Sequence, residues 1–354
     1  MNRGKEKNMS NENPVESSFR LTRRQALAGL GAVAGAGIAA ACAPGTTAAS
    51  PTAAATSAAT AAASPTAATQ PATRVALEHG INFFAQTSQG GFWAAFKDGE
   101  YAKRNLDVTM VQGSPQISPV TQVASGKQLF NLQTADTILL SRAAGIPLVA
   151  LFAPFNVTPL GIMYHAANPL KDFAGLQGRV AYLGFTSNWY KYIVKKFNLD
   201  GKFEVRNYTG QIGLFLADKT VVSQCFITSE PLVAKQQGFD VGYLRVADSG
   251  YNPYTNVLFT TEQAIKDKPE VVQAVVTAGL KGWLSFTAKP ADYLPFLKQQ
   301  NPDYDLALAA EGLKIEATLY TDSPTPNLSK IGEITMARMK TIHDQMREVG
   351  ALDK

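Results

Sequence analysis

A chain of 354 residues is long enough for one large domain or for two lobes. Its 45% hydrophobic and 17% charged content exclude a wholly disordered or collagen-like protein. Of the net charge of +5, more than half sits at the front: residues 1–41 hold six Lys/Arg and three Asp/Glu, leaving 27 against 25 beyond them, which gives no electrostatic case for nucleic acid.

Arg23 and Arg24 precede a weakly apolar stretch of Ala, Gly, Leu and Val that runs to Cys42. A charged start, a short apolar run and small residues before a cleavage point describe a signal peptide over residues 1–41. The paired arginines resemble a twin-arginine export signal. Ala39-Ala40-Ala41-Cys42 resembles a lipobox, whose cysteine takes acyl chains, palmitate among them, although Ala39 stands where Leu is usual. The alternative is an uncleaved anchor, since residues 25–41 number 17, at the lower limit for crossing a bilayer. Both readings tie the protein to the extracytoplasmic face of the membrane. Residues 42–73 then run through Ala, Thr, Ser and Pro without a charge or an aromatic ring. Such a segment buries too little apolar surface to offset its ordering entropy, and it reads as a tether.

From residue 74 the chain alternates apolar runs with amphipathic stretches. Residues 74–84 predict a strand, 91–105 a helix with Phe92, Ala95, Phe96 and Ala102 on one face, and 106–111 a strand. A helix over 117–125, a strand over 128–133, a helix over 134–144 capped by Thr134, and a strand over 147–152 follow. A second set repeats the alternation, with strands at 179–184, 203–208, 221–227 and 241–246 and helices at 187–197, 211–218 and 231–238. Beyond residue 261 the pattern is almost entirely helical, broken at Pro269, Pro290, Pro302 and around Pro324 and Pro326. Repeated strand–helix units imply an α/β fold with parallel-rich sheets, here in two lobes around a ligand cleft. Residues 156–160 and 248–255 are the expected crossings, giving lobe 1 as 74–158 plus 253–354 and lobe 2 as 159–252.

No catalytic constellation stands out, and the protein reads as a non-enzyme. His79, His165 and His343 lie far apart without metal-ligand spacing, and Gly126-Lys127 lacks the glycines of a phosphate loop. Cys225 lies in an apolar run and reads as a buried thiol. Aromatic rings and amides remain, gathered at strand ends and crossings. Asn82, Phe84 and Gln86 close the first strand, where an open α/β sheet exposes ligand groups. Trp93, Thr134, Asn156, Asn188, Trp189, Tyr190, Glu230, Tyr251, Asn252 and Tyr254 complete the candidate set. Flat rings sandwich a planar ligand and amides match its donor and acceptor edge. Phe83, Phe96 and Phe152 fit core positions equally well, and Glu230 beside Pro231 fits a helix start as well as a ligand acceptor. The chemistry calls for no cofactor and no metal.

Six segments carry a family resemblance: Gly-Glu-Tyr-Ala-Lys-Arg-Asn-Leu-Asp-Val at 99–108, Val-Ala-Ser-Gly-Lys at 123–127, Gly-Ile-Pro-Leu-Val-Ala at 145–150, Leu-Gln-Gly-Arg-Val at 176–180, Ile-Thr-Ser-Glu-Pro at 227–231 and Gly-Tyr-Asn-Pro-Tyr at 250–254. In that order they resemble the substrate-binding proteins of ABC importers related to thiamine-pyrimidine synthesis and uptake. The resemblance implies a two-lobed, type II periplasmic-binding-protein fold that closes around its ligand by hinge motion. It also implies a membrane permease as partner, a monomeric binding protein, and riboflavin as ligand by likeness to the riboflavin branch. Within the family the alternatives are a formylaminopyrimidine and a sulfonate. A pyrimidine synthase with the same fold needs a cysteine-rich motif that this chain lacks.

Overall fold

The computed structural model describes residues 74–353, apart from 115, 185–187 and 322–327. The signal segment, Cys42, the tether, Ser187 and the breaks at Pro324 and Pro326 lie outside the described residues. Among the described residues no helix is long and apolar enough to cross a membrane.

The first run of elements is β1 (Val75–Ile81), α1 (Gly90–Lys97), β2 (Leu106–Gln112), α2 (Pro119–Ala124), β3 (Asn131–Gln133), α3 (Ala135–Ala143) and β4 (Leu148–Phe152). The second is β5 (Leu160–His165), β6 (Val180–Leu183), α4 (Trp189–Lys196), β7 (Glu204–Asn207), α5 (Gly213–Ala217), β8 (Val222–Phe226), α6 (Glu230–Gln236) and β9 (Val241–Arg245). The chain then returns through β10 (Val257–Thr261) and continues as α7 (Glu262–Asp267), α8 (Pro269–Ala288), α9 (Leu294–Gln300), α10 (Leu306–Glu316) and α11 (Met336–Glu348).

Local chemistry sets many of these bounds. Ser118 accepts from the Thr121 N–H ahead of Pro119 at the head of α2, and Asp305 accepts from Ala307 and Leu308 at the head of α10. Pro269 likewise opens α8, where its missing N–H costs nothing. Thr134 stands at the head of α3 with an extended backbone but does not cap it. Its hydroxyl bonds the Thr137 hydroxyl at 3.0 Å instead of a backbone N–H.

The strands follow one plan twice. β1 pairs with β2 in parallel, a parallel bridge from His79 to Phe130 leads to β3, and β10 lies between β3 and β4. The other sheet runs β7-β6-β8-β5-β9. Setting aside in each sheet the strand that arrives directly from a crossing segment, the order in both is second, first, third, the arriving strand, then fourth. The arriving strands β10 and β5 are antiparallel to both their neighbours. The sequence pattern missed both, and with them the mixed character of the sheets.

Packing fixes the first sheet against the C-terminal helices. Phe92 of α1 meets Trp283 of α8 edge-on with ring centroids 5.8 Å apart, and Trp283 in turn contacts Phe286 and Tyr320. Phe92, Trp283 and Phe286 are wholly buried. α1 and α8 approach so closely that a Cβ at Gly282 would collide with the Gly91 carbonyl oxygen and the Ala95 backbone nitrogen. The start of α1, and the turn Thr87–Gln89 just before it, are thereby held in place.

Two segments carry the chain between the sheets, one after β4 and one before β10. They run side by side, joined by a backbone bridge between Phe155 and Thr255 and a 2.8 Å bond between the Thr158 and Thr255 hydroxyls.

Candidate ligand-binding site

A cavity of about 510 Å³ opens at the C-terminal ends of the parallel strands. One wall comes from Asn82 and Phe83 after β1, Gln86 and Gln89 around the following turn, Gln116, and Asn256 before β10. The other comes from Gly184 after β6, Asn207 to Gly210 at the end of β7, Gln224 to Phe226 on β8, and Ser229 and Glu230 at the head of α6. Seven of these residues are amides and three carry aromatic rings, and none of the described lining residues is Lys, Arg or His.

Glu230 is the one carboxylic acid among the described lining residues, and its oxygens are already engaged. Tyr208 donates its hydroxyl to Oε1 at 2.9 Å and the Phe226 N–H donates to Oε2 at 2.8 Å. Burial raises the Glu230 pKa above the usual carboxylate range, and these hydrogen bonds oppose the rise. Burial, with the Glu230 carboxylate beside it, also raises the Tyr208 pKa, so the phenol stays protonated and keeps donating. Glu230 thus braces the ring of Tyr208 and the end of β8 against each other. On β8, Gln224 Oε1 accepts the Gly184 N–H, fixing the end of β6. Cys225 is a buried free thiol whose pKa burial pushes well up, so it lines the cavity as a small apolar group.

Of the candidate residues, Asn82, Gln86 and Glu230 line this cavity. Phe84 is 45% exposed beside the lining residue Phe83, their centroids 5.0 Å apart. Trp93 is buried in α1 against Phe96 and Phe296. Trp189 is buried in the core beneath α4, Tyr190 is half-buried on the same helix, and Asn188 stands just before it. Thr134 remains at the head of α3.

Asn156, Asn252, Tyr251 and Tyr254 belong to the crossing segments. Asn252 accepts the Thr158 N–H and donates to the Asn156 carbonyl, while the Arg338 guanidinium of α11 donates to the Asn252 carbonyl and to Asn156 Oδ1. The same guanidinium lies 3.8 Å over the Tyr254 ring, whose hydroxyl accepts the Thr335 N–H. Tyr251 donates to buried Asp136 at 3.0 Å and stacks on Tyr192. Irregular backbone running between two lobes leaves N–H and C=O groups that need partners, and these polar side chains supply them. They tie the crossing segments together, and the cavity wall is drawn from other residues.

Gln89, Gln116, Asn207, Tyr208, Gln224, Phe226 and Asn256 were not among the candidates. Gln224 could have been found as a lone amide inside the apolar run of β8, and Tyr208 as the last residue of its predicted strand. Asn256 has φ of 53°, a left-handed conformation that Asn tolerates better than most residues, just ahead of a strand the sequence did not reveal.

The two-lobed α/β architecture with a cleft at the strand ends is that of the periplasmic binding proteins. The chain superposes on the aliphatic sulphonate binding protein SsuA from Escherichia coli with a TM-score of 0.61 at 15% identity, covering 79% of this chain and 89% of that one. Residues 86–293 match the NMT1/THI5-like family, and the chain belongs to that family. It is 25% identical over 229 residues to the formylaminopyrimidine-binding protein of Halalkalibacterium halodurans, 62% of this chain and 68% of that protein. It is 23% identical over 225 residues to the riboflavin-binding protein RibY of Chloroflexus aurantiacus, 61% of this chain and 63% of that protein, under two thirds of its length.

Proposed function

We propose that this protein is the solute-binding component of an ABC importer, that it works at the extracytoplasmic face of the membrane, and that its ligand is riboflavin. The observation that carries the ligand class is the cavity lining of seven amides and three rings, with no basic side chain among the described residues. A cation best replaces the water around a sulfonate or nitrate, and no described lining residue is Lys, Arg or His. An isoalloxazine is neutral and planar and has an amide-like edge, so amides satisfy it without burying charge. The stacking surface falls to Phe83, Tyr208 and Phe226, which line the cavity, in place of Trp93, Trp189 and Tyr254. The likeness to RibY supports the same ligand.

Titration of flavin fluorescence with the purified protein tests this reading. Stacking on Tyr208 should quench the emission, and Tyr208→Phe should preserve stacking while freeing one Glu230 oxygen. Tyr208→Ala should weaken binding by about 0.5–1.5 kcal/mol beyond the lost contact area. Absence of quenching at micromolar protein, together with binding of formylaminopyrimidine, would transfer the assignment to that ligand. The likeness to the formylaminopyrimidine-binding protein favours it as the second reading.

Attachment to the membrane is proposed through acylated Cys42. Two or three acyl chains, at about 0.8 kcal/mol per buried CH₂, hold a protein far more firmly than one. Cys42→Ala should block processing, leave a slower-migrating precursor and abolish incorporation of labelled palmitate. Label still entering the Ala variant would remove Cys42 as the anchor.

A further inference from the structure

Three amides in one wall of the cavity are linked in a chain whose direction is fixed at one end. Asn256 donates its Nδ2 to the Ser88 carbonyl at 2.7 Å. A backbone carbonyl only accepts, so the other polar atom of Asn256 is its oxygen. That oxygen accepts from Asn82 Nδ2 at 3.0 Å, and Asn82 Oδ1 accepts from Gln89 Nε2 at 3.2 Å. Reversing any single amide would set two donors or two acceptors face to face. The polarity therefore runs unbroken from Ser88 to Gln89, and it leaves Gln89 Oε1 as the terminal atom.

Gln89 Oε1 is buried and has no hydrogen-bond partner. Gln89, Asn256 and Ser88 are each at most 2% exposed. Gln89 cannot easily move away, since it ends the turn directly before α1, where Gly90 and Gly91 press against the rings of Phe286 and Trp283. A buried acceptor without a donor is unfavourable, and most such groups in native proteins have a partner. Asn82, Gln89 and Asn256 all line the cavity, so the partner that is missing from the protein can come from the ligand.

We propose that Ser88, acting through Asn256 and Asn82, fixes Gln89 Oε1 as the acceptor for a ligand N–H, so that the site selects neutral heterocycles bearing an N–H on that edge. This rests on the reading of the cavity as a heterocycle site and names the feature by which it discriminates. Asn256 is then a positioning residue, and Gln89 is the residue that touches the ligand. A ligand edge carrying only acceptors, or a methyl group in place of the N–H, would face an unmatched oxygen.

Matched pairs of ligands test this. Riboflavin is compared with N3-methylriboflavin, and formylaminopyrimidine with its N,N-dimethylamino form, each by calorimetry on the whole protein and on Gln89→Met. The expected result is that whichever parent binds does so roughly 10–100-fold more tightly than its methylated partner, and that this gap closes in Gln89→Met. Equal binding of parent and methylated forms by the natural protein would overturn the inference while leaving the ligand assignment standing, and it needs no variant. A gap that persists in a Gln89→Met protein with unchanged melting temperature would remove Gln89 as the acceptor. Failure of both parents to bind would defeat the heterocycle reading and this inference together.

Discussion

Replacing Glu316 by Gln should flatten the pH dependence of folding stability between about 4.5 and 7. Glu316 ends α10 at 1% exposure. Thr87 donates its hydroxyl to Oε1 at 2.7 Å and Tyr320 donates to Oε2 at 3.1 Å, while the Tyr304 hydroxyl accepts the Thr87 N–H and lies 3.0 Å from the Thr87 hydroxyl. Burial pushes the carboxyl from 4.5 up to about 7, and the two hydrogen bonds only partly oppose it. Between these values the folded carboxyl keeps its proton and the unfolded one loses it. The stability this group contributes is therefore complete below 4.5 and is lost as pH rises through about 7. A difference of that size is worth on the order of 3 kcal/mol. Burial raises Asp136 and Glu230 as well, but both remain in the variant and cancel in the comparison. Urea denaturation from pH 4 to 8 measures it. Parallel stability curves for the two proteins would show that Glu316 does not titrate in this range. Thr87 lies between Gln86 and Gln89, so the same carboxylate supports the turn that forms one cavity wall.

The second large effect is expected at Gly282. A Cβ there meets backbone atoms of Gly91 and Ala95, which no rotamer change can move aside. Relief requires α1 and α8 to separate, opening the packing of Phe92, Trp283 and Phe286. Gly282→Ala should therefore destabilise the fold by about 3 kcal/mol, the upper part of the usual range for overpacking. Gly213 is the control. It lies in α5 with nothing within 4 Å of the corresponding Cβ, so Gly213→Ala should be neutral or stabilising by about 0.5–1 kcal/mol. Denaturation midpoints of the two variants decide the matter. A Gly282→Ala protein within about 1 kcal/mol of its parent would mean that the two helices can shift at little cost.

Elements that alternate between apolar and polar residues, or that begin at a recognisable cap, were legible in the sequence. The strands and helices from β1 to β4 and from β6 to β9 were predicted in order, mostly to within a few residues. β5 and β10 were not, because Leu-Gly-Ile-Met-Tyr-His and Val-Leu-Phe-Thr-Thr are short, nearly continuous apolar runs with no period, each following a proline-containing irregular segment. Both strands are buried along almost their whole length, which removes the alternation that identifies a half-exposed strand. The type of side chain expected at the site, ring and amide, matches the lining of the cavity, but its location was only partly legible. Asn156, Asn252 and Tyr254 share the composition of a cavity wall, and what distinguishes them is Arg338, which lies more than eighty residues beyond Asn252 in sequence. A lone sequence holds no trace of that contact.

The strand order β3-β10-β4 has a consequence for how this protein is made. The middle strand of that sheet is synthesised about a hundred residues after its two neighbours, so β3 and β4 leave the ribosome with the edges that face each other unpaired. Closing so long a loop is entropically costly, and pairings of this kind tend to set the folding rate. A fragment ending after β4 would carry two open strand edges, the kind of surface that recruits other chains and aggregates. The intervening lobe, whose own sheet contains all its strands from β5 to β9, can fold first and draw β10 back toward its gap. Newly made chains are therefore most exposed to misassembly in the interval between the emergence of β4 and that of β10.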